Sequence, residues 1–136
     1  MSYALSGPLQ SAVYSALVSD ASITGLVGDA VFDQAPSGVI PGAYISLGEE
    51  TVRDASDQVC AGAVHEFLVT VVSDDPGFKP AKDIAGAVCD VLIGANLTMT
   101  RGRLVSLNFI SARAVRTKRD ARRRVDLRFR ARVDDS

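Results

Sequence analysis

The stretch RRRVDLRFRARV, residues 122–133, lies near the end of the 136-residue chain and decides the predicted fold. Charged and apolar side chains alternate along it, and a period of two is typical of a strand with one buried face. The face predicted to meet the core consists of Val125, Leu127, Phe129, Ala131 and Val133. The opposite face carries Arg124, Arg128, Arg130 and Arg132, which we call the arginine row.

The segment before it, RLVSLNFISARAVR at residues 103–116, predicts a second long strand. The polar TKRDA between the two segments predicts that they form a hairpin. The apolar positions of residues 103–116 change face near Phe109 and Ile110. Such a change indicates a β-bulge, or a strand that leaves one neighbour for another.

Two amphipathic stretches predict helices. The first is SGPLQSAVYSALVSD, with Ser6 as its N-cap and Pro8 in its first turn. The second lies within residues 74–96, where Gly94 and Asn96 supply a C-terminal stop. The stretch DASITGLVGD between them predicts a helical turn or a loop.

Three further strands are predicted between the helices. They are the short AVFD, then AYISL at residues 43–47, and AVHEFLVTVVSDD, which is apolar on both faces and therefore predicted to be central. Residues 48–62 are polar and acidic and predict a long hairpin connection, a kind of loop that often carries function.

These elements predict an α+β fold in the order α-β-β-β-α-β-β. A mainly antiparallel sheet of four to five strands would carry two helices packed on one face. The length predicts a single domain over residues 1–136. The composition is that of a soluble globular protein, no secretory signal or membrane span is recognisable, and two cysteines favour a reduced, cytosolic site of synthesis.

Charge is divided unevenly along the chain. Residues 1–100 hold three basic and twelve acidic side chains, a net charge of −9, whereas residues 101–136 hold twelve basic and four acidic ones, a net charge of +8. A distribution of this kind favours association with an anionic partner or with an oppositely charged face of another copy.

Motifs for catalysis, for a metal or for a cofactor are not recognisable. The single histidine, His65, falls in a core strand, and Cys60, His65 and Cys89 lack the spacing of a zinc site. A small hydrolase built around His65 is therefore the weakest of three hypotheses, after the structural and the nucleic-acid-binding roles described below. The acidic residues of the 48–62 segment, without a calcium-loop pattern, predict a solvated loop; they are Glu49, Glu50, Asp54 and Asp57.

The arginine row has three possible roles. The first is a solvated face that blocks aggregation. The second is binding of nucleic acid, although no aromatic side chain for base stacking alternates with the row. The third is contact with a protein, since arginine pairs with carboxylates and is enriched in interfaces. The acidic surplus of residues 1–100 favours the third role, with copies of the chain arranged in a ring.

The sequence resembles the tail-terminator, or tail-completion, proteins of long-tailed phages, and most of all the version in the gene transfer agents of alphaproteobacteria. The resemblance extends over nearly the whole chain. It rests on SGPLQSAVYSALVSD, YISLGEETVRDASD, AGAVHEFLVTVVSDDPGFKPAKDIAGAVCDVL, RGRLVSLNFISARAVR and RRVDLRFRARV.

The resemblance implies a structural protein and not an enzyme. It implies a hexameric ring that caps the head-proximal end of the tail tube, stops tube polymerisation and joins the head stopper, or connector, with DNA passing through the ring. Partners would be the major tail tube protein and the stopper, with no membrane; assembly would occur in the bacterial cytoplasm and the product would be part of the particle. The predicted interface residues are Glu49, Glu50, Arg53, Asp54, Asp57, Arg124, Arg128, Arg130 and Arg132. A small nucleic-acid-binding module that uses the arginine row is the alternative.

Overall fold

The computed structural model describes residues 3–33, 36–58, 61–93, 96–118 and 121–135. Its elements follow one another as α1 (Ser6–Ser19), α2 (Ala21–Val27), β1 (Val31–Phe32), β2 (Ala43–Asp54), β3 (Gly62–Ser73), α3 (Lys79–Leu92), β4 (Arg103–Arg116) and β5 (Arg123–Asp134). The strands form one sheet in the order β1-β2-β3-β5-β4. The β1–β2 pair is parallel, and the three others are antiparallel. The predicted α+β class and the mainly antiparallel sheet are confirmed.

The core lies between one face of the sheet and the helices, and we call this the helix face. Register brings the apolar side chains of β5 beside those of β3, for example Leu127 beside Val69. Phe129 is fully buried at the centre, stacked on Phe67 with ring centroids 5.7 Å apart and meeting Phe109 edge-on at 6.1 Å. Helices α1 and α3 cover this layer with their apolar stripes, formed by Leu9, Val13, Leu17, Ile84, Val88 and Leu92.

β5 is an internal strand, because β3 pairs with one of its sides and β4 with the other. The arginine row is therefore not at an edge of the sheet. The row lies on the face of the sheet opposite the helices, which we call the open face. The strand at the edge of the sheet next to β5 is β4.

The long polar connection predicted for residues 48–62 is mostly strand. β2 continues to Asp54 through an irregularity between Leu47 and Glu50, so the β2–β3 connection is only residues 55–61. The polar composition of residues 48–54 concealed this strand, since the inward position that an apolar residue would mark is occupied by Glu50. Polar partners, Ser6 and His65, hold the Glu50 carboxylate there.

Local details of the helices also differ from prediction. α1 starts at Ser6, with Leu5 as the N-cap and no side-chain cap bond, because the Ser6 hydroxyl donates to Glu50 instead. The stretch DASITGLVGD forms α2, and the Asp20 carboxylate caps it by accepting a bond from the Ile23 N–H. α3 ends at Leu92, and the predicted stop at Gly94 lies outside the described residues.

The change of face in β4 is confirmed as a β-bulge. The register with β5 shifts between Phe109 and Ser111, and a second shift lies between Leu104 and Ser106. The two irregularities leave the segment from Ser111 to Arg116 in regular register with β5.

Candidate interaction surface

The arginine row runs down the middle of the open face. Its members lie opposite β3 residues Val72, Leu68, Glu66 and Val64 in register. The long arginine stems shield apolar neighbours, since Val64 and Val72 are only 7% and 5% exposed although no helix covers them. The row therefore has a packing role in addition to its charge.

Most of the row has an internal partner. An Arg130 guanidinium nitrogen lies 3.7 Å from Glu66, and Arg124 lies 3.3 Å from Asp126. Arg132 donates to the Ala55 carbonyl at 3.2 Å. Arg128, by contrast, has no hydrogen-bond or ion-pair partner within the described parts of the chain. These pairs are half exposed, so each contributes at most about 1 kcal/mol to folding.

The open face as a whole is basic. Register places the side chains of Arg53, Arg103, Arg113 and the arginine row on it, against the acidic side chains Glu66, Asp126 and Asp134. Seven cations against three anions leave a surplus of four positive charges among the described strands. Such a face attracts anions, and salt screens that attraction beyond about 8–10 Å.

The acidic residues predicted as interface lie at the other side of the sheet, on and after β2. Glu49 is exposed at the β2 irregularity, Asp54 is exposed at the end of the strand, and Asp57 is exposed in the following connection. Arg53 is exposed beside them. Charges that are separated along the sequence are thus also separated in space. Exposed carboxylates lie on and directly after β2, and most cations lie on β5 and β4.

Glu50 is turned inward, away from the other predicted interface residues. Its carboxylate accepts bonds from the Ser6 hydroxyl at 2.5 Å and the Tyr3 hydroxyl at 2.7 Å, and lies 3.0 Å from Nδ1 of His65. Burial alone would raise the pKa of Glu50, but the bonds from Ser6, Tyr3 and His65 outweigh it and hold that pKa below 4.5.

The Ser6–Glu50–His65 cluster lacks the geometry of a hydrolase. A catalytic histidine must contact the hydroxyl that it deprotonates, whereas here the Glu50 carboxylate lies between Ser6 and His65. His65 is also fully buried, and its Nε2 has no hydrogen-bond partner within the described residues. The cluster is a means of fastening the start of α1 to the sheet.

Sequence reasoning missed an apolar groove on the helix face, between α3 and β4. Its walls are small or apolar, and its floor is the core of β5; the lining residues are Lys82, Ala85, Gly86, Cys89, Phe109, Ala112, Ala114, Val125 and Leu127. Phe109 is 44% exposed there, a large fraction for an aromatic side chain. Burial, and then the charge of Asp90, raise the pKa of the Cys89 thiol, which disfavours its reactive thiolate.

Other kinds of site are not evident in the parts of the chain that are described. There is no group of three or more metal-ligating side chains among them, and no described helix has the length and apolarity to cross a membrane. Cys60, considered above as a metal ligand, lies outside the described residues.

Comparison with known families identifies the class of protein. The family model of the tail completion protein gp17 matches residues 11–134, so the chain belongs to that family. It is therefore a structural tail protein of a phage-like particle, and this family membership indicates a structural role and not a catalytic one.

Among solved structures, the chain is similar to one from the "Virion of native gene transfer agent (GTA) particle". The two share 53% identity over 98% of this chain and 99% of the other, with a TM-score of 0.91. Comparison with curated proteins gave no match. The resemblance to tail-completion proteins, and to the gene transfer agent version in particular, is confirmed.

Proposed function

We propose that this protein is the tail terminator of a gene transfer agent or related phage-like particle. Copies of the chain form a ring, a hexamer by analogy with the family, at the head-proximal end of the tail tube. The ring stops addition of the major tail tube protein and joins the tail to the head stopper. DNA passes through the ring without sequence-specific binding. Assembly takes place in the bacterial cytoplasm.

One observation carries this proposal: near-complete coverage at 53% identity with a chain of a gene transfer agent virion. The match therefore rests on the whole α+β domain and not on one shared element. The spatial separation of acidic and basic surfaces gives independent support, because a subunit with two complementary sides can join copies of itself head to tail.

The test is the tail length of particles that lack the protein. A producing strain with the gene deleted should release tails of variable length without heads, and a plasmid copy should restore uniform, headed tails. Negative-stain electron microscopy measures both properties. Headed tails of normal length in the deletion strain would refute the proposal.

The second candidate function is binding of nucleic acid through the arginine row, which the uncovered basic open face favours. The purified protein would be titrated with duplex DNA at two salt concentrations. Contact between the row and phosphates requires binding at low salt and a steep decline of affinity with salt. An affinity that hardly changes with salt concentration, or no binding at low salt, would exclude this function.

A further inference from the structure

The two outer sides of the sheet are largely without a strand partner and differ in chemistry. Only Ile45 and Ser46 of β2 have a strand partner on the outer side, namely β1, so within the described residues β2 carries no outer neighbour from Leu47 to Asp54. At the other side β4 has no outer neighbour in the described sheet along any of its 14 residues. Unpaired N–H and C=O groups in such strands are ready to bond to another chain.

The outer side of β4 has the composition of an interface. Val105 and Ile110 are 45% and 36% exposed, and the strand contains neither proline nor an acidic residue. Its regular segment from Ser111 to Arg116 carries the small side chains Ser111, Ala112 and Ala114, which leave room for a second backbone. Long exposed apolar edge strands are a liability unless a partner covers them.

The cations of β4 match the anions of β2. Arg113 and Arg116 are exposed in the regular segment of β4. Glu49 and Asp54 are exposed on the part of β2 that has no strand on its outer side, and Asp54 also accepts a bond from the Ser56 hydroxyl. The outer side of β4 is thus complementary in charge to the outer side of β2 in an identical chain. Complementary charge steers association and fixes the orientation of the partners.

We propose that β4 and the apolar groove beside it bind the outer side of β2 in the next copy of the chain. This contact extends the sheet from subunit to subunit, with Arg113 and Arg116 opposite Glu49 and Asp54. The inference rests on the proposed ring function and specifies its subunit interface. A contact of this heterologous type closes into a ring when the rotation between neighbours permits.

Placing the interface on β4 also gives the arginine row of β5 a role in assembly. β5 lies one strand inside the interface, about 4.8 Å away, so its arginines add to the positive field without forming the contact. Sheets that join edge to edge place their open faces side by side. The arginine rows of all copies then lie on one continuous surface of the ring.

Two charge-reversed variants test the interface. One is Arg113→Glu with Arg116→Glu on β4, and the other is Glu49→Arg with Asp54→Arg on β2. Each alone should remain monomeric at concentrations about tenfold above those at which the wild type forms rings, with an unchanged melting temperature. Analytical ultracentrifugation measures the species.

Mixing the two variants in equal amounts supplies the control for net charge. Each reversed β4 then meets a reversed β2, and each native β4 meets a native β2, so alternating rings of even number should form. An exchange of Lys79→Glu with Asp83→Lys, on exposed α3 positions that already pair at 2.9 Å, should leave assembly unchanged.

Several outcomes would overturn the inference while leaving the proposed function intact. They are wild-type rings from either variant, failure of the mixture to recover rings, or rings of the β4 variant that no longer bind the tube protein, which would assign β4 to the tube. A wild-type chain that stays monomeric even with its tube protein would instead refute the ring function itself.

Discussion

At the scale of single residues, Glu50 is the side chain whose role differs most from its appearance in the sequence. Within the polar stretch GEETVRD, residues 48–54, the sequence predicts that Glu50 is a solvated acid like its neighbours. In the fold it binds Ser6, Tyr3 and His65, and so connects the N-terminal helix to two strands. A carboxylate that accepts several bonds is stabilised in its charged form, and removing it leaves buried donors unsatisfied.

The lowered pKa of Glu50 predicts an acid-dependent loss of stability. Because the folded pKa lies below the ordinary value of 4.5, its contribution is complete above pH 4.5 and is lost as pH falls through the folded value. Glu50→Gln should lower the free energy of unfolding by about 1–3 kcal/mol near pH 7 and by less under acid conditions. Urea denaturation at both pH values measures this, with exposed Glu49→Gln as the control.

An equal loss for Glu50→Gln at neutral and acidic pH would contradict the assignment of the effect to the carboxylate charge. The neighbouring Glu49 is the suitable control because it lies on the same strand but is exposed.

At the scale of elements, the turn that leads into β4 depends on Gly102. Its φ is +71°, and an added Cβ would lie 2.7 Å from Leu5 Cδ1 and 2.8 Å from the Asp134 carbonyl oxygen. Glycine adopts this conformation without strain. The contact with the Asp134 carbonyl is a contact with backbone, which cannot rotate away as the Leu5 side chain can. The turn thereby fixes where β4 enters the sheet beside β5.

Gly102→Ala should therefore destabilise the protein by about 1–3 kcal/mol. Gly25→Ala in α2, where nothing lies within 4 Å of the added Cβ, should instead be neutral or stabilising by up to about 1 kcal/mol. Thermal unfolding of both variants checks the pair. Similar melting temperatures for the two would show that the turn at Gly102 adapts.

At the scale of the whole molecule, charge is distributed unevenly over the sheet, as the proposed ring assembly requires. The arginine row on internal β5 and the exposed carboxylates beyond β2 produce a subunit with a basic and an acidic side. In the proposed ring these two sides attract each other between copies, whereas within one copy exposed ion pairs contribute little to stability.

Reversal of Arg128 and Arg130 to Glu should weaken ring assembly more than it destabilises the fold. The free energy of unfolding should change by less than about 1 kcal/mol, since the Arg130–Glu66 pair is long and half exposed. The loss of assembly should also be smaller than that of the Arg113→Glu, Arg116→Glu variant. Sedimentation and thermal unfolding measure the two effects, and equal losses would mean that the row serves the fold.

Much of the fold could be predicted because hydrophobic periodicity is local. The alternation in β5, the two-sided apolar β3 and the amphipathic α3 each indicated their element and their buried face. The bulge in β4 was also visible, since an inserted residue moves every later side chain to the other face. The polar half of β2 could not be found in this way, because its inward Glu50 is compensated by residues 44 and 15 positions away.

By itself the sequence determined the α+β class, the burial pattern of the long strands, the separation of charge and the resemblance to tail-completion proteins. Only the tertiary structure decided the strand order. It made β5 internal and β4 outermost, and for this reason the interface that we propose lies on β4 and not on the arginine row. The physical reason is that strand order depends on pairing between residues far apart in the chain, which no local period encodes.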